Sequence, residues 1–141
     1  MSKLLQRLSD ATKSGVYRAP HERDIVDALR GSSLGVARID LAGAASKEAT
    51  LERFGRALSF PEWFGGNWDA LEDCLSDLSW SAAAGHVLLI QGAAGQPADE
   101  HGILVDILRS AAAYWAERKR PFFAVFVGDA KGLPDLYRER Q

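Results

Sequence analysis

The sequence predicts an α/β fold in which a three-stranded parallel sheet is covered by helices. Two runs are continuously apolar, Val87–Ile90 and Phe122–Val127, as expected for strands that are covered on both faces. A third strand is predicted at Val36–Leu41, where Ala42 and Gly43 end it. Segments with helical periodicity separate the three runs. Right-handed crossovers through these helices therefore predict a parallel sheet.

Composition limits the classes of protein that need to be considered. The chain has 141 residues, of which 47% are hydrophobic and 26% are charged, which is ordinary for one soluble globular domain. A net charge of −2 disfavours nucleic acid as the direct partner, because phosphate binding needs a basic surface. No segment is typical of a signal peptide or a membrane span. We therefore expect a cytoplasmic protein without a membrane partner.

We divide the chain into three parts. Residues 1–33 form an N-terminal extension made of an arm and a short helix. In it, residues 16–18 fit either a short strand or an extended arm, and His21–Leu29 has helical periodicity. Residues 34–128 hold the main domain, and residues 129–141 form a polar C-terminal tail.

Two further helices are predicted between the strands of the main domain. Ser46 is a good N-cap for a helix over Lys47–Leu58. A long helix is predicted over Asp99–Arg118. Its core-facing stripe is predicted to contain Ile103, Ile107, Leu108, Ala111 and Trp115.

The most informative segment is the loop and helix between Phe60 and Leu78. Proline and glycine mark the loop, and Asn67 is a suitable N-cap for the helix that follows. At about 100° per residue, the helix turns an apolar side inward, namely Trp68, Leu71, Leu75 and Leu78, with Cys74 at the margin. The opposite side presents Asp69, Glu72 and Asp73.

Charge is strongly segregated along the chain. Residues 57–108 contain eight acidic residues and no Lys or Arg, whereas residues 1–56 and 109–141 each carry a net charge of +3. A solvated helix face usually mixes both signs, so this segregation favours a polarised surface that meets a basic partner.

The segment from Phe60 to Leu75, FPEWFGGNWDALEDCL, resembles the signature of the barstar family, Leu-Pro-Glu-Tyr-Tyr-Gly-x-Asn-x-Asp-Ala-Leu-x-Asp-x-Leu. Members of that family are intracellular inhibitors of barnase-type ribonucleases. The resemblance implies a barstar-like fold over residues 34–128. It also implies that the loop and helix plug a nuclease active site, with carboxylates in place of RNA phosphates.

The resemblance also implies roles for individual residues. Trp63 matches an aromatic residue that packs on the nuclease, and Asp69 and Asp73 match acids that face its cationic site. Glu72 stands where better-known members carry an aromatic residue. For the family's acid on the penultimate helix, Asp106 is the candidate by chemistry, and Ser110 lies one turn further along. The full set of expected partner-binding residues is Trp63, Phe64, Gly65, Asn67, Trp68, Asp69, Glu72, Asp73 and Asp106.

Two other functions fit some of the same residues. Asp69, Glu72 and Asp73 could bind a divalent metal in an enzyme, but no activating His or Lys accompanies them and no glycine-rich phosphate loop follows a strand. An immunity protein for an unrelated toxin enzyme would keep the scaffold and change the target. We expect a non-enzymatic inhibitor without metal or cofactor, whose partner is a basic ribonuclease or another toxin nuclease.

Overall fold

The computed structural model describes residues 2–61, 66–128, 130 and 132–137. Trp63, Phe64 and Gly65 therefore lie outside the described residues. The elements are, in chain order, α1 (Lys3–Leu8), β1 (Gly15–Ala19), α2 (Arg23–Leu29), β2 (Leu34–Asp40), α3 (Lys47–Ala57), α4 (Trp68–Leu75), β3 (Gly85–Gln91), α5 (Ala98–Glu117) and β4 (Phe122–Val127).

The sheet confirms the predicted α/β class and its parallel strands. Strand order is β1-β4-β3-β2, and every pair runs parallel. The two continuously apolar runs form the central strands β3 and β4, in which Leu89 is paired with Val125. Both side chains are fully buried, as the absence of any polar alternation in these runs predicted.

The predicted number of strands was wrong, because the sheet has four strands rather than three. The additional strand is β1, which pairs with β4 in the register Val16 to Ala124 and buries Val16 and Ala19. Its sequence, Gly-Val-Tyr-Arg-Ala, contains too few apolar residues to be distinguished from an extended arm. Its pairing with β4, more than 100 positions further along the chain, shows that this segment is a strand.

Hydrophobic cores lie on both faces of the sheet. One contains buried residues of α3, α4 and α5 and the facing side chains of the sheet. The other, which we call the second core, joins Leu8, Ile25 and Leu29 to Val87, Leu89, Phe123 and Val125 of the central strands. Residues before position 34 thus cover one face of the sheet.

Local sequence signals explain where the helices begin and which faces they bury. Ser46 caps α3 as predicted, since its Oγ accepts a hydrogen bond from the amide of Ala49 at 3.1 Å. On α5 the predicted stripe was wrong at Ile103, which is 42% exposed, whereas Leu104 is fully buried. The inward stripe follows the spacing 104, 108, 111 and 115, so Ile103 falls one residue outside it. Within the described chain, none of the helices combines the length and apolar character needed to cross a bilayer.

Candidate functional site

Helix α4 is held to the core along its whole apolar side. Leu71, Cys74 and Leu75 are fully buried, and Trp68 is half-buried against the same core. Burying a leucine side chain contributes about 1.5–3 kcal/mol. A helix of eight residues is too short to be stable alone in water, so this packing holds it in place.

Hydrogen bonds fix both ends of α4. At its start, Asn67 Oδ1 accepts from the amide of Ala70 at 2.7 Å, as predicted for an N-cap. At its end, the buried indole of Trp115 donates from Nε1 to the carbonyl of Leu75 at 2.8 Å. Carbonyls in the last turn of a helix have no partner within the helix, so the indole contact satisfies one of them. Helical spacing predicted a core position for Trp115 and gave no sign of this second role.

The segments on either side of residues 62–65 are tied together. Trp80 Nε1 donates to the carbonyl of Leu58 at 3.0 Å, and the rings of Phe60 and Trp80 meet edge to face with centroids 6.0 Å apart. Gly66 has a φ of +68°, in the left-handed region that glycine adopts most easily. The segment just before residues 62–65 is therefore packed against Trp80, which follows α4.

The outward side of α4 presents three carboxylates. Asp69, Glu72 and Asp73 are exposed, and none of them forms an ion pair with another of the described residues. Asp69 lies in the first turn, where the helix dipole favours a negative charge. Asp73 lies one turn later, a like-charge spacing that costs a few tenths of a kcal/mol. The helix thus displays negative charge that the described part of the chain does not neutralise.

Some acidic side chains on other helices are paired with a base, in contrast to the three on α4. Glu52 accepts from Arg56 at 2.7 Å, one turn along α3. Asp106, the predicted acid on α5, lies 3.8 Å from Arg109 and its side chain is 79% exposed. Ser110, the alternative, is also exposed on α5. The structure therefore brings Asn67, Trp68, Asp69, Glu72 and Asp73 together on one helix and its cap, and places Asp106 on another.

Cys74 behaves as a core residue. Burial raises the pKa of its thiol to about 11, and the neighbouring carboxylates of Asp77 and Asp73 act in the same direction. A thiol with such a pKa remains protonated near neutral pH and is a poor nucleophile. The prediction that Cys74 is a small buried group is confirmed.

The described residues offer little to a metal ion. Among them, no three His, Cys, Asp or Glu side chains are grouped closely enough to hold one. The three acids of α4 point away from the core, and no histidine joins them there. What this arrangement can do chemically is to offer carboxylates on a fixed helix to a cationic surface.

Comparison with known proteins agrees with this geometry. The family model described as Barstar (barnase inhibitor) matches residues 34–127, which is more than half of the chain and runs from the start of β2 to the end of β4. Among curated proteins, no sequence matches the chain significantly. The family match includes all of α4 and its capping residue, and it shows that the chain belongs to the barstar family.

Proposed function

We propose that the protein inhibits a ribonuclease by placing the exposed face of α4 in the cationic active site of that enzyme. Membership of a family described as barnase inhibitors suggests an inhibitor or immunity role in general. The observation that supports the specific proposal is the set of three exposed carboxylates on α4, Asp69, Glu72 and Asp73. None of them forms an ion pair with another described residue, and the helix that carries them is fixed at both ends.

Fixation of the helix matters for affinity. Binding costs less conformational entropy when the contacting groups already have their bound positions. In α4 the backbone is held by Asn67 at one end and by Trp115 at the other. Only the side chains of the acids remain to be ordered. Their carboxylates would accept charge-assisted hydrogen bonds from Arg or Lys residues that otherwise bind RNA phosphates.

Asp73 is the residue that we propose for the phosphate pocket. It is exposed on the outer face of α4, one turn after Asp69 and within the last turn of the helix, which ends at Leu75. The neighbouring Glu72 adds a second negative charge where the resemblance places an aromatic residue in better-known family members. We therefore expect a target that offers more than one cation at this point.

An inhibition assay tests the proposal. The purified protein is titrated into a panel of basic secreted ribonucleases that includes barnase, and cleavage of a fluorescent RNA is followed. We expect loss of activity of at least one of them at a one-to-one ratio. If none of the panel is inhibited while a toxin enzyme of another class is, the immunity alternative replaces the proposal.

A metal titration addresses the enzymatic alternative. If the acids serve a protein partner, Mg²⁺ or Ca²⁺ should leave the melting temperature unchanged, because only ligands that bind the native state raise it. A clear increase with either ion would favour the metal-dependent enzyme.

A further inference from the structure

The outer edge of β2 presents backbone groups that are turned away from the sheet. The amide of Leu41 donates to the carbonyl of Gln91 at 2.7 Å. Alternate residues of a strand face the same neighbour, so the odd-numbered residues of β2 bond to β3. The N–H and C=O groups of Val36 and Arg38 therefore point outward.

One backbone group at each end of this edge is bonded to a side chain, whereas the groups in its middle are open. Ser32 Oγ accepts from the amide of Leu34 at 3.3 Å, and Arg53 donates to the carbonyl of Asp40 at 2.6 Å. Between them, the outward backbone groups of Val36 and Arg38 have no hydrogen-bond partner among the residues that the structure describes.

The opposite edge of the sheet, formed by β1, is bonded to a neighbouring segment of the chain. On β1 the amide of Arg18 donates to the carbonyl of Pro134 at 2.8 Å, and the carbonyl of Arg18 accepts from the amide of Leu136 at 2.9 Å. The segment after β4 thus covers β1 like a short additional strand. Exposed strand edges favour pairing with other chains. Val16, the other residue of β1 whose backbone groups point outward, is buried, whereas Val36 and Arg38 of β2 are exposed.

An apolar groove of about 280 Å³ runs beside the open edge. Ala37 and the backbone of Gly35 and Val36 form one side, because the side chain of Val36 lies on the other face of the sheet, beside Val87. The rest of the lining is Ala57, Leu58, Leu78, Trp80 and Leu88, with the polar residues Ser59, Ser81 and His86. Val36 is 41% exposed and Trp80 is 37% exposed. A strand edge beside apolar pockets is the arrangement that extended peptides recognise, since their backbone pairs with the edge and alternate side chains enter the pockets.

The charges around the groove suit an apolar side chain and do not exclude a basic partner. The described residues that line it include no Asp, Glu, Lys or Arg. Arg38 is paired with Glu22 at 2.7 Å, and Arg56, next to the groove residue Ala57, is paired with Glu52 at 2.7 Å. Two of the nearby arginine charges are therefore balanced locally, whereas Arg53 donates to the backbone carbonyls of Asp40 and Ala42.

We propose that the ribonuclease bound by α4 also adds an extended segment to the edge of β2 and places an apolar side chain in the adjacent groove. The inference rests on the proposed function. Its support is continuity of the surface: Leu58 and Leu78 of the groove belong to the same core as the buried side of α4, and Leu78 and Trp80 follow shortly after that helix in the chain. A partner seated on α4 thus lies next to the groove.

A lysine at the strand edge tests this contact. Lysine is one of the residues that natural edge strands use to prevent pairing, and the Val36→Lys change at this exposed side chain leaves the backbone hydrogen bonds between β2 and β3 intact. The matched control is Tyr137→Lys, which changes a side chain of similar exposure, 40%, with the same change in charge. We expect Val36→Lys to weaken inhibition of the ribonuclease at least about tenfold, and Tyr137→Lys to leave it unchanged.

Amide exchange gives a second measurement that does not depend on a variant. On complex formation, the amides of Val36 and Arg38 in the full-length protein should become protected, because each would donate to the added strand. Unchanged exchange at both positions, or equal inhibition by Val36→Lys and the parent, would overturn the proposal.

Further outcomes separate this proposal from its alternatives. If the parent inhibits no ribonuclease, the proposed function fails, and this inference fails with it. If Asp73→Asn abolishes inhibition and Val36→Lys does not, only the strand-edge contact is wrong. A dimer of the free parent that Val36→Lys dissociates would assign the edge to a second copy of this chain and would overturn the choice of partner.

Discussion

Replacing Ile25 by alanine tests whether the N-terminal residues fold as one unit with the sheet. Ile25 has no exposed surface and belongs to the second core, which also contains Val87 and Phe123 of the central strands. Alanine removes three buried carbon groups, each contributing about 0.8 kcal/mol. The cavity left behind adds to this, so we expect a loss of about 2–5 kcal/mol in the free energy of unfolding.

Urea unfolding followed by tryptophan fluorescence and circular dichroism measures this loss. The control is Asp27→Ala on the same helix, whose side chain is 61% exposed and pairs only with the exposed Arg30. This control should change the free energy of unfolding by less than about 0.5 kcal/mol. An Ile25→Ala variant that unfolds at the same urea concentration as the parent would refute the reasoning. So would a separate early transition, because it would show that the N-terminal residues unfold apart from the sheet.

Three other properties follow from the structure. Cys74, whose thiol pKa is raised to about 11 by burial and by Asp77 and Asp73, should resist a thiol reagent at neutral pH until urea unfolds the chain, and rapid labelling of the native protein would contradict this. Burial, with a smaller effect of Arg120, holds the pKa of His86 below its ordinary value of 6.5. The unfolded chain therefore binds this proton more tightly, and the free energy of unfolding should fall as the pH drops below about 6.5. Urea midpoints at neutral and mildly acidic pH check this, and His86→Gln should lose that part of the dependence. Finally, since residues 57–108 carry a charge of −8, stopped-flow association with a basic ribonuclease should slow as salt shortens the Debye length to about 10 Å, and a flat rate would exclude electrostatic steering.

Elements whose signal is local were predictable from the sequence. Strands β3 and β4 are apolar on both faces, so their burial could be inferred without knowing their neighbours. Helix α4 begins at a recognisable cap, and its acidic and apolar residues separate at helical spacing. The composition of the acidic face could therefore be inferred from residue spacing alone.

Features that depend on distant contacts were not predictable in this way. Strand β1 exists because Gly15–Ala19 pairs with β4, and its own five residues do not reveal that partner. The hydrogen bond from Trp115 to Leu75 joins positions 40 residues apart, and periodicity on α5 indicates only that the indole faces inward. The open edge of β2 became visible only from the order of strands in the sheet.

The most direct test of the central claim is the inhibition constant of Asp73→Asn, measured against a ribonuclease that the parent inhibits. The variant keeps the shape of the side chain and removes the charge, which would leave cations of the enzyme buried without their carboxylate. We expect inhibition to weaken at least about a hundredfold, or by several kcal/mol. Asp27→Asn on α2 should inhibit like the parent.

The same variant should be at least as stable as the parent in urea, because it relieves the like-charge spacing to Asp69. Loss of inhibition without loss of stability is the result that the proposed function predicts. An Asp73→Asn protein that inhibits as strongly as the parent would contradict the role of this carboxylate as a phosphate mimic.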